Sequence, residues 1–153
     1  MATEIPPGDL LQIDLGSSYH SYARKLKGPY LAFYNVRTSD KLSPREIISN
    51  EVLFVLLVQN ATVNKLKKVG RIPENVEEMH VPDQFIQDLF DSSKIQIIDR
   101  NSNIRPASYR EVVGLERVVA WSDKSIVERL NAHFDGRPSK TQQMYELKKP
   151  NSN

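Results

Sequence analysis

The stretch Glu51-Val52-Leu53-Phe54-Val55-Leu56-Leu57-Val58-Gln59 places seven apolar residues in a row between two polar ones. Four of the seven are β-branched or aromatic, as is typical of a strand, and the run is far shorter than the roughly 20 residues that cross a bilayer. We therefore predict a strand that is buried on both faces at the centre of a small sheet. The alternative is about a turn and a half of buried helix, which would have to continue through Ser49-Asn50 from the helix predicted upstream.

Three short strands are predicted before this central strand. Leu11, Ile13 and Leu15 alternate with polar residues, which is the pattern of a half-buried strand. Two further strands follow at residues 19–26 and 30–36, with turn residues at 16–18 and 27–29. Strands at this spacing predict an antiparallel meander.

The helix directly upstream of the central strand has a complete start signal. Ser43 is placed to cap it, Pro44 suits its first position, and Glu46 completes a capping box. Leu42 and Ile47 have the spacing of a hydrophobic staple across this start.

Downstream of the central strand, the sequence pattern indicates helix in some segments and strand in others. Val63, Leu66 and Val69 have helical spacing over only about two turns, so residues 61–68 are ambiguous. We predict one helical turn within 81–90, around Phe85-Ile86 and Leu89-Phe90. Further extended segments are predicted at 94–99, 104–107 and 116–121.

A last helix is predicted after Ser122-Asp123 and runs to about Phe134. Ile126 and Leu130 lie on its apolar face, and Gly136 can adopt the left-handed conformation that ends a helix. The overall prediction is an α+β, mostly β fold. It consists of a small, strongly bent antiparallel sheet or partial barrel of about six strands, with a short helix before the central strand and a C-terminal helix packed on the sheet. Residues 1–136 form one domain and 137–153 a polar, flexible tail.

Composition limits the class of protein. A chain of 153 residues, 39% hydrophobic and 26% charged, fits one globular domain with a single core. The absence of cysteine excludes disulfides and cysteine-based metal or redox sites. The first residues have neither a basic segment nor an apolar one, so we expect no secretion signal, no membrane association and a cytoplasmic location.

The sequence contains no recognisable catalytic motif. His20, His80 and His133 are far apart and have no metal-ligand spacing, and the scattered glycines form neither a phosphate loop nor a dinucleotide fingerprint. We therefore expect no enzymatic activity, no metal and no cofactor. An enzyme would require the three histidines to converge in space.

Nucleic-acid binding by a small β-barrel module is the alternative function. Four basic residues cluster after the central strand, which is few for phosphate contacts in a chain of net charge +2. They are Lys65, Lys67, Lys68 and Arg71. Five aromatic residues of the predicted strands could stack on bases, although such residues are more often core and cross-strand pairs. They are Tyr19, Tyr22, Tyr30, Phe33 and Tyr34.

Several segments, in this order, carry a resemblance that covers most of residues 8–135. They are Gly8-Asp9, Ile13-Asp14-Leu15-Gly16, Tyr22-Ala23-Arg24, Leu31-Ala32-Phe33-Tyr34-Asn35-Val36-Arg37, Val52-Leu53-Phe54, Phe85-Ile86-Gln87-Asp88, Gly114-Leu115-Glu116 and Ala120-Trp121. Together they resemble the bacterial family called immunity protein 26, found among the antidotes of polymorphic toxin systems. The resemblance implies a mostly β domain without catalytic activity that binds and neutralises one cognate toxin domain.

The acidic segment from Glu74 to Asp91 contains six acids and neither lysine nor arginine. Because many toxins cut nucleic acids and so present basic clefts, we hypothesise that this segment faces the toxin and steers its approach, with two phenylalanines as anchors. The candidate toxin-binding residues are Glu74, Glu77, Glu78, Asp83, Phe85, Asp88, Phe90 and Asp91. The alternative is a solubilising loop whose aromatics hold it on the core.

Three residues of the resemblance motifs have a candidate structural role. We predict that Arg24, Glu116 and Trp121 form a buried or half-buried cluster, in which the arginine pairs with the glutamate and packs against the tryptophan. Loss of such a cluster would unfold the domain.

Overall fold

The protein is described here by a computed structural model that covers residues 5–150. Within these residues, nine strands form two sheets and five α-helices pack around them. The strands are β1 Asp9–Gly16, β2 Tyr19–Lys25, β3 Tyr30–Tyr34, β4 Val52–Leu57, β5 Lys67–Arg71, β6 Gln84–Gln87, β7 Ile95–Ile98, β8 Ile104–Pro106 and β9 Glu116–Arg117. The helices are α1 Pro44–Ile48, α2 Asn60–Lys65, α3 Tyr109–Val112, α4 Asp123–Phe134 and α5 Lys140–Met144. The predicted α+β, mostly β class is confirmed.

The first sheet has the strand order β4-β3-β2-β1-β5, with all neighbours antiparallel. The predicted meander of β1, β2 and β3 is therefore confirmed. The prediction that the apolar run forms a strand is also confirmed, but its central position is wrong because β4 lies at the edge. The middle strand is β2, which is fully buried from Ser21 to Lys25, whereas Val52 of β4 is 40% exposed. An apolar run predicts that its side chains are buried, but it does not indicate whether neighbouring strands or other segments cover them.

The two faces of the first sheet are covered by different parts of the chain. On one face, Leu11 and Phe33 pack with Ile126 and Leu130 of α4, as predicted for a C-terminal helix on the sheet. On the other face, α1 contributes Ile47, and the segment after β5 adds several apolar residues. The two cores share only the strands between them.

Helix α1 begins as predicted. The Ser43 hydroxyl accepts a hydrogen bond from the backbone N–H of Glu46, and the Glu46 carboxylate accepts one from the backbone N–H of Ser43. Leu42 packs in the same cluster as Ile47, which agrees with the predicted staple. These local hydrogen bonds explain why so short a helix is readable from sequence.

The second sheet, with the order β8-β7-β6-β9, was not predicted as a separate unit. The two sheets together have nine strands instead of the expected six, and β9 runs parallel to β6. The predicted helical turn around Phe85 is wrong, because Phe85 lies in β6 and faces Ile97 of β7. The predicted strand at 116–121 forms a strand only at β9, and Trp121 makes an isolated bridge to Val58.

The ambiguous residues 61–68 divide between two elements. Helix α2 ends at Lys65, and β5 begins at Lys67. Val63 is buried in the first sheet's core, whereas Leu66 and Val69 are half buried. The helical spacing of Val63, Leu66 and Val69 therefore corresponds to a helix only as far as Lys65.

The turn between β1 and β2 is conformationally costly. Ser17 and Ser18 have φ values of 53° and 69°, the arrangement of a two-residue type I′ turn, which favours Asn-Gly. We expect the double substitution Ser17→Asn and Ser18→Gly to raise the free energy of unfolding by about 1 kcal/mol in urea denaturation. Ser39→Gly, at an exposed residue whose φ is not positive, is the control and is expected to be neutral or destabilising. A loss of stability in the double variant would contradict this expectation.

The segment beyond residue 136, predicted as a polar flexible tail, makes more contacts than the sequence indicated. Glu128 of α4 accepts hydrogen bonds from the Ser139 hydroxyl at 2.5 Å and from the Thr141 N–H at 2.9 Å. Partial burial of the Glu128 carboxylate opposes its ionisation, but these hydrogen bonds outweigh it and lower the pKa to about 2. Residues 151–153 of the predicted tail lie outside the described range.

Candidate protein-docking surface

The loop between β6 and β7 displays two large apolar side chains. Leu89 is 84% exposed and Phe90 is 98% exposed. Single exposed apolar residues are ordinary on protein surfaces, but two adjacent ones at the end of a hairpin point to an interaction site. We call residues 88–94 the hairpin tip.

The hairpin tip is held by hydrogen bonds of its own. The Asp88 carboxylate accepts from the backbone N–H of Phe90 at 2.9 Å and of Asp91 at 2.8 Å. Backbone hydrogen bonds also join Asp88 to Lys94 and Lys94 to Asp91, each at 3.0 Å. Because the fold of the tip does not depend on its apolar side chains, Leu89 and Phe90 are free to serve a partner.

Negative charge flanks the two apolar residues. Hydrogen bonds from the Ser93 hydroxyl and the Ser93 N–H lower the pKa of Asp91, so its carboxylate stays ionised well below neutral pH. Lys94 supplies the only basic side chain among residues 88–94. The tip therefore combines apolar surface with an acidic border.

A cleft of about 490 Å³ adjoins the hairpin tip on the second sheet. Ile86, Ile95, Pro106 and Ala107 supply its apolar walls, and polar residues of the tip supply its rim. The exposed tip and the cleft thus form one continuous surface at one end of the sheet.

The structure separates the two phenylalanines predicted as anchors. Phe85 is 1% exposed and packs with Ile95 and Ile97, while the Arg117 guanidinium lies 4.8 Å from the centre of its ring. The prediction of Phe85 as an anchor is therefore wrong. Phe90 lies where a partner can reach it, so its role stays a prediction.

The predicted acidic residues do not form one surface either. Glu74, Glu77 and Glu78 are exposed beside the first sheet, because Val76 between them is buried in that sheet's core. Five residue steps, about 16 Å of extended chain, separate Asp83 before β6 from Asp88 after it. The candidate acids thus fall into three sets: Glu74, Glu77 and Glu78, then Asp83 alone, and finally Asp88 and Asp91, which belong to the hairpin tip.

The predicted structural cluster forms with a different arginine. Arg129 of α4, not Arg24, donates two hydrogen bonds to the Glu116 carboxylate, at 2.8 and 2.9 Å. Its guanidinium lies 4.0 Å from the centre of the Phe54 ring and 5.1 Å from that of Trp121. Its position three residues after Ile126 is the one sequence signal that places it on the buried face of α4.

Arg24 has another role, on the opposite face of the first sheet. Its guanidinium donates to the Ile72 carbonyl at 2.6 and 3.2 Å and to the Glu74 carbonyl at 2.7 Å. It also contacts the Met79 sulfur at 3.3 Å. Arg24 therefore holds the segment after β5 against the sheet.

Several side chains that the alternative functions require make contacts within the fold. His20 bonds to Tyr22 and His133 to Asn35, and residues 5–150 contain no group of three histidine or acidic side chains that could hold a metal. Three of the five candidate stacking aromatics, Tyr22, Phe33 and Tyr34, are buried in the cores.

The basic cluster is partly neutralised by a neighbouring acid. The buried Asp9 carboxylate lies 3.3 Å from the Lys68 ammonium and 3.7 Å from the Arg71 guanidinium.

In the described part of the chain, no helix is both long and apolar enough to cross a membrane.

Comparisons with known proteins gave no assignment. No family model matches the chain, and neither a curated protein nor a solved structure matches it.

Proposed function

We propose that this chain is an immunity protein that binds a cognate toxin domain and neutralises it sterically. One observation carries the proposal: the hairpin tip presents Leu89 and Phe90 almost fully exposed on a loop fixed by its own hydrogen bonds. The segment resemblance described above supports the same function. The proposal places the protein in the cytoplasm of a bacterium that has a polymorphic or contact-dependent toxin system.

The shape of the tip favours a concave partner. A large side chain contributes most to binding when it enters a well-packed pocket from which water is excluded. Leu89 and Phe90 are adjacent and almost fully exposed, so a cleft in the toxin can surround both side chains, whereas a flat surface can cover only one side of each. We therefore propose that the tip enters a cleft of the toxin.

The charge of the tip favours a basic border to that cleft. Asp88 and Asp91 flank the apolar pair, and acids at the edge of an interface act mainly on the rate of encounter. A nuclease toxin, whose cleft must attract phosphates, has the complementary charge. An immunity protein must also leave almost no free toxin, which corresponds to a binding free energy of about −12 kcal/mol or better.

The test is loss of binding without loss of folding. We expect Leu89→Ser with Phe90→Ser to weaken toxin binding by about 100-fold or more, because both apolar anchors are removed. Thermal unfolding should change little, since neither side chain is buried. Met144→Ser is the matched control, because Met144 is an apolar residue, 73% exposed, outside the tip.

The toxin is obtained by capture. Tagged wild-type protein, the double tip variant and the Met144→Ser control are each incubated with lysate of the source organism. The proposal requires a protein that the wild type and the control retain and the tip variant does not. That protein must arrest growth when it is expressed alone and lose this effect beside the wild type. Equal retention and equal protection by the folded tip variant would exclude the hairpin tip as the toxin-binding surface.

A further inference from the structure

The C-terminal segment 139–148, here called the strap, is held largely through its backbone. Arg117 donates to the Tyr145 carbonyl at 3.1 Å and to the Glu146 carbonyl at 3.2 Å. The Gln87 side chain donates to the Lys148 carbonyl at 2.7 Å and accepts from the Lys148 N–H at 2.9 Å. Because these four hydrogen bonds are made to main-chain atoms, any peptide whose backbone follows the same path can make them.

Only two apolar side chains anchor the strap beyond its start. The Tyr145 ring meets the Trp121 ring edge to face, with centroids 5.2 Å apart. Leu147 packs against the core of the second sheet. Helix α5 has no buried residue at all. The strap therefore gains little of the apolar burial that would fix it permanently.

The groove beneath the strap is incompletely filled. A cavity of about 260 Å³ remains there, bordered on one side by Tyr145 and Leu147 and on the other by Tyr109, Leu115 and Trp121. Val113, which is exposed, stands at the same cavity. A segment with bulkier side chains would fill this space and gain contacts that the strap does not make.

We propose that this groove is a peptide-binding site, occupied by the chain's own strap, which accepts a segment of a protein partner carrying two bulky apolar residues two positions apart. Gln87 and Arg117 bind the main chain of that segment. Trp121 receives the first apolar side chain, and the Phe85 core receives the second. The groove adjoins the hairpin tip, because Gln87 also donates to the Ser92 carbonyl at 2.9 Å, but the proposal does not depend on the toxin proposal.

Competition with the strap determines the apparent affinity. A tethered segment acts at an effective concentration on the order of millimolar. A free peptide therefore binds the wild type weakly, and its apparent affinity rises when the fraction of protein with a released strap rises. A variant that loosens the strap without altering the groove separates the intrinsic affinity of the groove from the competition by the strap.

Glu128→Ala is that variant. Glu128 holds the start of the strap through Ser139 and Thr141 and does not line the groove. The probe is a fluorescein-labelled peptide that copies residues 139–150, and fluorescence anisotropy measures its dissociation constant. We expect the full-length Glu128→Ala protein to bind the probe at least tenfold more tightly than the wild type does. Adding Gln87→Ala should reverse most of that gain.

A control probe carries serine in place of both apolar residues, Tyr145 and Leu147. The proposal is wrong if folded Glu128→Ala protein, verified by circular dichroism, binds neither probe or binds both equally. The proposal would also be wrong if this variant formed concentration-dependent dimers in sedimentation without any probe. The occupant of the groove would then be the strap of a second copy. If Glu128→Ala does not fold, Tyr145→Ala with Leu147→Ala releases the strap at its other end, and the same outcomes decide.

Discussion

Replacing Arg129 with alanine is expected to lower the free energy of unfolding by about 3–5 kcal/mol. The Arg129 side chain is only 6% exposed, and its guanidinium is paired at two points with Glu116 while it lies over the Phe54 ring. The substitution leaves the Glu116 carboxylate without its counterion, next to apolar rings. It also removes the link between α4, the edge of the first sheet and β9.

Urea denaturation followed by tryptophan fluorescence measures this loss, since Trp121 lies beside the guanidinium. Arg105→Ala is the matched control. Arg105 and Glu111 form an ion pair of the same 2.8 Å length but are exposed, and exposed pairs contribute at most about 1 kcal/mol. Similar losses in the two variants would mean that burial of the Arg129 pair contributes nothing.

Removing Arg24 is the second large effect that we expect. Arg24→Ala should lower the free energy of unfolding by about 2–4 kcal/mol, because the buried carbonyl of Ile72 and the partly buried carbonyl of Glu74 lose their donors. Within residues 5–150, no carboxylate lies within ion-pair distance of this guanidinium. Its hydrogen bonds go to carbonyl oxygens and to the Met79 sulfur, so the loss measures hydrogen bonding rather than an ion pair.

Amide exchange locates the effect of Arg24→Ala. Protection should fall most in the segment 72–79 that the guanidinium holds. Arg45→Ala serves as the control, since Arg45 is exposed and lies 3.9 Å from Glu74. Arg24→Lys should restore little, because one ammonium cannot reproduce a planar group that bonds two carbonyls. If Arg24→Ala left stability unchanged and abolished toxin binding, Arg24 would belong to the binding surface.

The parts of the fold that were predicted depend on neighbours in sequence. The capping box of α1 needs only Ser43 and Glu46, three residues apart, and the end of α4 needs Gly136, whose φ is +70°. The alternation of Leu11, Ile13 and Leu15 predicts β1, and short turns join the first three strands. For such elements, the local chain contains the interactions that determine the structure.

The parts that were missed depend on distant partners. Both Arg24 and Arg129 could pair with Glu116 as far as sequence shows, and only the packing of α4 selects Arg129. Phe85 and Phe90 are five positions apart in the same acidic segment, yet strand pairing buries one and the tip exposes the other. Pairing of β6 with β9 joins residues about 30 apart in sequence and leaves no local trace. The sequence therefore predicted Asp88, Phe90 and Asp91 of the docking surface proposed here, but it also included Phe85, which is buried.

The packing of α4 on β1 affects how the chain folds as it is synthesised. The Asn131 side chain donates to the Leu15 carbonyl across 116 residues of sequence. All five strands of the first sheet are complete at Arg71, whereas α4 begins at Asp123. At about 5–20 residues per second, translation from Arg71 to the end of α4 at Phe134 leaves the apolar face of that sheet without its helix for about 3–13 s. During this interval a nascent chain exposes the surface that chaperones recognise, and the many contacts between distant residues predict slow refolding, on the order of milliseconds to seconds.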